Sequence, residues 1–191
     1  IPASPTLVWW PGRSSQQELV ELGGVPTEFS KYGIKFDGVP NALEPVRRRR
    51  AGVQDEGSQL VAQIFANVAS SSQRWLDLCA GPGGKAALLS SIAQEKGREF
   101  TANEVSEPRA ELVRQVVGSA RVWVGDGREV AKHKEVFDAV LADVPCTGLG
   151  ALRRRPEVRW RRTVTDLRAL TALQRELSGS AVSVLADGGL F

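Results

Sequence analysis

From residue 58 onward, apolar and polar positions alternate between two periods. Leu60, Val61, Ile64, Phe65 and Val68 recur at helical spacing and predict a helix with one apolar face, broken by "SSSQ". "RWLDL" (74–78) reads as a strand entering a glycine-rich turn, "CAGPGGK", and "AALLSSIA" then supplies strong helix formers. "REFTANE" (98–104) predicts a second strand ending in an acid. Pro108 suits the first turn of a helix whose apolar face is Leu112, Val113, Val116 and Val117. "RVWV" (121–124) is a third strand, running into "GDG", and "FDAVLAD" (137–143) is a fourth. The link "QVVGSARVWV" is short for a helix-to-strand connection. Leu167, Leu170, Leu173, Leu177 and Val184 predict a long helix over 163–185, which Gly188-Gly189 would end before a fifth strand.

That order demands parallel strands joined by right-handed helical crossovers, so the expected class is α/β. In such sheets ligands bind beyond the carboxyl ends of the strands, where the strand order switches. Every unusual motif falls at such an end: Cys79 to Lys85, Glu104, Asp126, and Asp143 to Gly148. Residues 1–57 differ in character, being loop-rich, with "TLVWW" and "YGIKF" as strands around the short helix "SSQQELVEL". They predict a small appendage to a main domain over 58–191.

Composition narrows the picture. The chain has 191 residues, 42% hydrophobic and 25% charged, enough for one full core. No run approaches the ~18 apolar residues of a membrane span, and no signal peptide pattern opens the chain. The chain opens at Ile1 rather than Met, and an N-terminal segment is expected before it. Two cysteines and one histidine form neither a disulfide framework nor a zinc spacing, so a reducing, cytoplasmic setting without metal is expected. Net charge is only +3, but ten of the 25 basic residues sit in two runs, Arg47 to Arg50 and Arg153 to Arg162.

Candidate chemistry follows from the strand ends. Gly81, Gly83 and Gly84 admit close backbone approach of a ligand and precede a helix start with free N–H groups. Neither the dinucleotide nor the phosphate-loop spacing fits, so the ligand lacks phosphates; a tight strand-to-helix connection alone would use the same glycines. Glu104, 20 residues beyond Gly84, can accept both ribose hydroxyls, or be a solvated strand-end charge. Asp126 can take an adenine amino group, or form an Asx turn. Together these describe a nucleoside site suited to S-adenosylmethionine, with Asp77 and Asp143 as partners for its methionine end.

"DVPCTG" (143–148) faces the same crevice. Methylating cytosine at C5 requires prior addition of a thiolate at C6, and Cys146 has that chemistry, with nearby arginines to lower its pKa. The alternative is a small buried thiol in a turn. Arg153, Arg154, Arg155, Arg159, Arg161 and Trp160 can contact phosphates and stack on a base, or form a solvated helix face.

These motifs resemble the Sun/Fmu-type (NOL/NOP/Sun) RNA 5-methylcytosine methyltransferases. The matching stretches are "VQDEGSQLVA", "WLDLCAGPGGKAALL", "ANEVSEPRAELV", "VGDGRE", "DVPCTGLGALRRRPEVRWRR" and "LQRELSGSAVSVLADGG". The resemblance implies a Rossmann-like sheet binding S-adenosyl-L-methionine and a small N-terminal α+β, RNA-binding appendage. It implies RNA, ribosomal RNA in particular, as the partner. It assigns Cys79, Ala80, Gly81, Pro82, Gly83, Gly84 and Lys85 to the cofactor, Glu104 to the ribose, Arg109 to the cofactor's surroundings and Asp126 to the adenine edge. Asp143, Pro145, Cys146 and Lys85 fall in the catalytic set. In that family the Pro-Cys thiol assists release of methylated RNA, and the attacking thiol comes from a later Thr-Cys motif. The chain stops at Phe191, before that motif, and carries Thr147 where Ser is usual. Two other readings stand beside this one: a DNA cytosine methyltransferase using Cys146 as nucleophile, and a non-catalytic RNA-binding module with a cofactor pocket.

Overall fold

The computed structural model describes residues 4–152, Trp160 and 163–191. Its first unit is a four-stranded antiparallel sheet. The elements are β1 Thr6–Trp9, α1 Gln16–Glu21, β2 Val25–Pro26, β3 Gly33–Lys35, α2 Glu44–Arg47 and β4 Ala51–Val53, in the order β2-β3-β1-β4. Sequence patterning finds β1, α1 and β3 but not β2 and β4, which are too short to show a period. Ser15 caps α1 by accepting the Glu18 N–H. Arg50, the last residue of the first arginine run, turns inward to bind Glu18 and Glu44 and to donate to the Arg13 carbonyl. That run is therefore partly structural.

Helix α3, Glu56–Val68, joins this sheet to the main domain, and its buried face differs from the predicted one. Gln59, Ala62, Gln63, Phe65 and Ala66 are buried, whereas Val61, Ile64 and Val68 are exposed. The reason is a buried polar junction. Gln59 donates to the Leu7 and Gln54 carbonyls at 3.1 and 2.8 Å and accepts the Ser30 hydroxyl at 2.6 Å, while Gln63 donates to Ser30 Oγ at 2.7 Å. Alanines let the helix approach closely, and the amides satisfy backbone groups that an apolar face would leave unpaired. Arg13 extends the junction by donating to the Val116 carbonyl.

The main domain is the expected α/β unit, with a five-stranded sheet whose four neighbouring pairs are all parallel. Its strands are β5 Arg74–Asp77, β6 Glu99–Glu104, β7 Arg121–Val124, β8 Phe137–Leu141 and β9 Leu185–Leu190. Their order is β7-β6-β5-β8-β9, so the direction of winding reverses between β5 and β8. This is the Rossmann-like arrangement. Side chains alternate across β5: Trp75 joins the core under α3, α4 (Gly84–Glu95) and α5 (Glu107–Arg114), and Leu76 joins the opposite core with α6 (Val164–Ser183).

One boundary departs from expectation. The glycine pair lies inside β9 instead of ending α6, because Gly188 adopts φ +74° within a register shift against β8. Gly-rich irregularity there makes a bulge. The short link after α5 closes through Gly118, at φ +66°, after Val117 has packed into the core. Among the described residues, no helix is long and apolar enough to cross a membrane.

Candidate functional site

The carboxyl ends of β5, β6 and β8, with the loop after β7, surround a cleft of about 610 Å³. Cys79, Ala80, Gly81, Pro82, Gly84, Lys85, Glu104, Arg109, Asp126, Asp143, Pro145 and Cys146 all line it. Gly83 does not. It holds the turn from behind as the N-cap of α4, at φ +95°, where an added Cβ would sit 3.0 Å from Val116. A side chain there would be strained in any case.

Asp77 ends β5 and is 1% exposed. Its Oδ1 accepts the Cys79 N–H at 3.3 Å, while its Oδ2 is buried with no hydrogen-bond partner among the described residues. Burial pushes this carboxyl up to about 7 despite the opposing attraction of Lys85. The same burial, with Asp77 close by, pushes the Cys79 thiol up to about 12, so Cys79 is an inert lining residue.

Glu104 ends β6, is 4% exposed, and accepts the Ser106 N–H at 2.9 Å and Arg109 Nη2 at 2.7 Å. Its neighbour Asn103 braces the floor by donating to the Leu78 and Gly125 carbonyls. Asp126 accepts the Arg128 N–H at 2.9 Å, which is the Asx-type turn, and also lines the cleft. Its carboxylate is gripped by the Arg128 guanidinium at 2.6 Å, and Arg128 reaches on to Glu176 of α6 at 2.9 Å. These bonds favour the ionised form of Asp126 and lower its carboxyl from the ordinary value.

At the mouth, Lys85 Nζ lies 2.5 Å from Asp143 Oδ2, and Asp143 is half exposed. Cys146 is exposed, so it is not a packed core thiol. Gln174 of α6 donates to the Pro145 carbonyl at 2.7 Å. Lys85, Arg109 and Arg128 are thus each paired with one of Asp143, Glu104 and Asp126, and the fourth acid, Asp77, keeps one oxygen unpartnered among the described residues. Such a cleft opposes a phosphate and suits a nucleoside ligand bearing a cationic group.

Asn103, Arg128, Leu173, Gln174 and Leu177 border the site although the sequence pattern does not predict them as site residues. Of these, Arg128 had a local signal, two positions after an acid in a "GDG" turn. The predicted RNA contacts Arg153, Arg154, Arg155, Arg159 and Arg161 lie outside the described residues. Trp160 is 85% exposed.

Residues 66–191 match the family profile described as 16S rRNA methyltransferase RsmB/F. The chain is 46% identical over 189 residues to a putative methyltransferase of Mycobacterium tuberculosis, covering 94% of this chain and 40% of that one. It is 38% identical over 145 residues to ribosomal RNA small subunit methyltransferase B of Xanthomonas campestris, covering 72% of this chain and 32% of that one. The crystal structure of PH0851 superposes with a TM-score of 0.82 at 26% identity, covering 97% of this chain and 45% of that one. The chain spans less than half the length of each of these relatives.

Proposed function

The chain belongs to the 16S rRNA methyltransferase RsmB/F family, and from that premise we propose that it methylates C5 of a cytosine in ribosomal RNA through a covalent cysteine–C6 adduct. S-adenosylmethionine supplies an electrophilic methyl group on a sulfonium. The observation that carries this reading is the buried, unpartnered Asp77 Oδ2 in an acid-lined cleft at the strand-order switch. A carboxylate oxygen in that state calls for a donor from a ligand, and an ammonium group is the natural one.

The other residues divide the cofactor between them. Glu104 accepts from the ribose hydroxyls, with Arg109 and the Ser106 N–H fixing its orientation. Asp126 faces the adenine edge, anchored by Arg128. The glycine turn from Cys79 to Gly84 lets the backbone approach the ligand without Cβ atoms in the way.

At the mouth, Asp143 shares a proton with cytosine N3 while Lys85 holds its carboxylate in place. Addition of a thiolate to C6 forms a C–S bond and makes C5 nucleophilic. After methyl transfer, a base removes the C5 proton and the C–S bond breaks, returning the thiolate. Cys146 assists that release rather than attacking C6, the role that the Pro-Cys thiol has in the family the sequence resembles. The arginine segment and Trp160 bring the RNA, and residues 1–57 form an RNA-side appendage to the methyltransferase unit over 58–191.

The test is methyl transfer by the full-length protein from labelled S-adenosylmethionine to ribosomal RNA, read by nucleoside digestion. The expected product is 5-methylcytidine, and the Cys146→Ser variant is expected to accumulate a covalent protein–RNA adduct. Loss of both product and adduct in that variant would make Cys146 the nucleophile instead. No methylated cytidine from the wild type would overturn the reading.

A further inference from the structure

Helix α6 runs along one wall of the cleft and meets two of its loops. Ser180 Oγ donates to the Gly127 carbonyl at 2.8 Å, and Gln174 Nε2 donates to the Pro145 carbonyl at 2.7 Å. The second contact sits at the chemically important position. Residues 142–148 have no regular secondary structure. Pro145 has no N–H, so its carbonyl is the one strong hydrogen-bonding group its backbone offers. Because the peptide unit is planar, a bond to that carbonyl also sets the plane that carries Cys146.

The anchor is well supported. Leu173 and Leu177, beside Gln174 on α6, pack with Leu76, Leu78, Phe137 and Val140 of the sheet core. On the other side of the loop, Lys85 holds Asp143 at 2.5 Å, and the Val144 N–H donates to the Ala142 carbonyl at 3.0 Å. The Pro-Cys peptide is thus held between α4 on one flank and α6 on the other.

We propose that Gln174 is a positioning residue: its side-chain amide fixes the Pro145–Cys146 peptide so that the Cys146 thiol faces the cleft. The catalytic consequence rests on the proposed function; the positional claim does not. Gln174→Glu preserves size but removes the donor and sets a carboxylate against a carbonyl. Gln174→Ala removes the contact altogether.

Two measurements on the full-length protein test this. In the RNA-free protein, amide hydrogen exchange at Val144, whose N–H donates to the Ala142 carbonyl in the same loop, should rise about three- to tenfold in both variants, as the loop loses one neutral hydrogen bond that holds it. Exchange in the α6 segment from Leu177 to Ala181, and the affinity for S-adenosylmethionine, should stay at wild-type values. Unchanged loop exchange would overturn the proposal whatever the protein methylates. With RNA and cofactor, both variants should accumulate a covalent adduct as Cys146→Ser does, and Gln174→Ala should add nothing in the Cys146→Ser background. Additive losses, or weakened cofactor binding without adduct, would also overturn it. If neither wild type nor Cys146→Ser forms any adduct and the wild type yields no 5-methylcytidine, the proposed function fails, and the exchange measurement alone decides the role of Gln174.

Discussion

Replacing Asp77 by Asn should make the cofactor-free protein more stable at alkaline pH and impair its cofactor binding. Asp77 is 1% exposed and, among the described residues, has one bond of 3.3 Å to a backbone N–H and no partner for Oδ2. Burial raises its carboxyl from 3.8 to about 7. Because the folded value is the higher one, between these limits the folded protein holds a proton that the unfolded chain has already lost. Stability from this group is therefore fullest near pH 4, falls as the pH rises through about 7, and is flat above that. The gap corresponds to an upper figure on the order of 4 kcal/mol. An Asn amide has its own unmet hydrogen-bonding needs, so a net gain of about 1–3 kcal/mol at pH 8 is the reasoned expectation. For a chain of this size each kcal/mol raises Tm by about 2–4 °C. Thermal unfolding of both proteins between pH 4 and 8.5, with and without S-adenosylmethionine, reads both effects. The stability difference should grow with pH in favour of Asp77→Asn, and cofactor should stabilise the variant less than the wild type. A variant that is less stable at pH 8, or a difference independent of pH, would refute the reasoning.

Three further outcomes are expected. Gln59→Leu should lower stability by about 2–5 kcal/mol in urea unfolding, because it removes the Gln59 bonds to two buried carbonyls and leaves the Ser30 hydroxyl proton without its acceptor; a change under 1 kcal/mol would remove the polar junction from the account. Iodoacetamide at pH 8 should label the exposed Cys146 and spare Cys79, whose thiol burial raises to about 12, as read by peptide mass spectrometry. Equal labelling would contradict the environment assigned to Cys79. Asp126→Ala should weaken S-adenosylmethionine binding about two- to tenfold by removing one acceptor, and an unchanged Kd by calorimetry would refute its place at the adenine edge.

What the sequence discloses here is what local pattern controls. The strands ending at Asp77, Glu104 and Leu141 announce themselves by short apolar runs, and the acids and glycines that follow them are adjacent in sequence to those ends. That adjacency is why most of the cleft could be named in advance. The buried face of α3 could not, since the choice of Gln59 and Gln63 over Val61 and Ile64 depends on one carbonyl of β1, one just after β4 and a hydroxyl from the loop before β3. Gln174 and Glu176 are likewise invisible to periodicity. Each meets its partner across a long sequence separation, Pro145 in one case and Arg128 in the other. Gly188-Gly189 misled for a different reason, because a glycine pair marks a helix end and a strand bulge equally well, and only the register against β8 decides.

The most direct measurement of the central claim is calorimetric titration of S-adenosylmethionine into the wild type and a folded Glu104→Ala variant. Two charge-assisted hydrogen bonds to the ribose should make the wild type bind at least about 100-fold more tightly. Absence of binding to the wild type, or equal affinity in the two proteins, would contradict a nucleoside pocket at the ends of these strands.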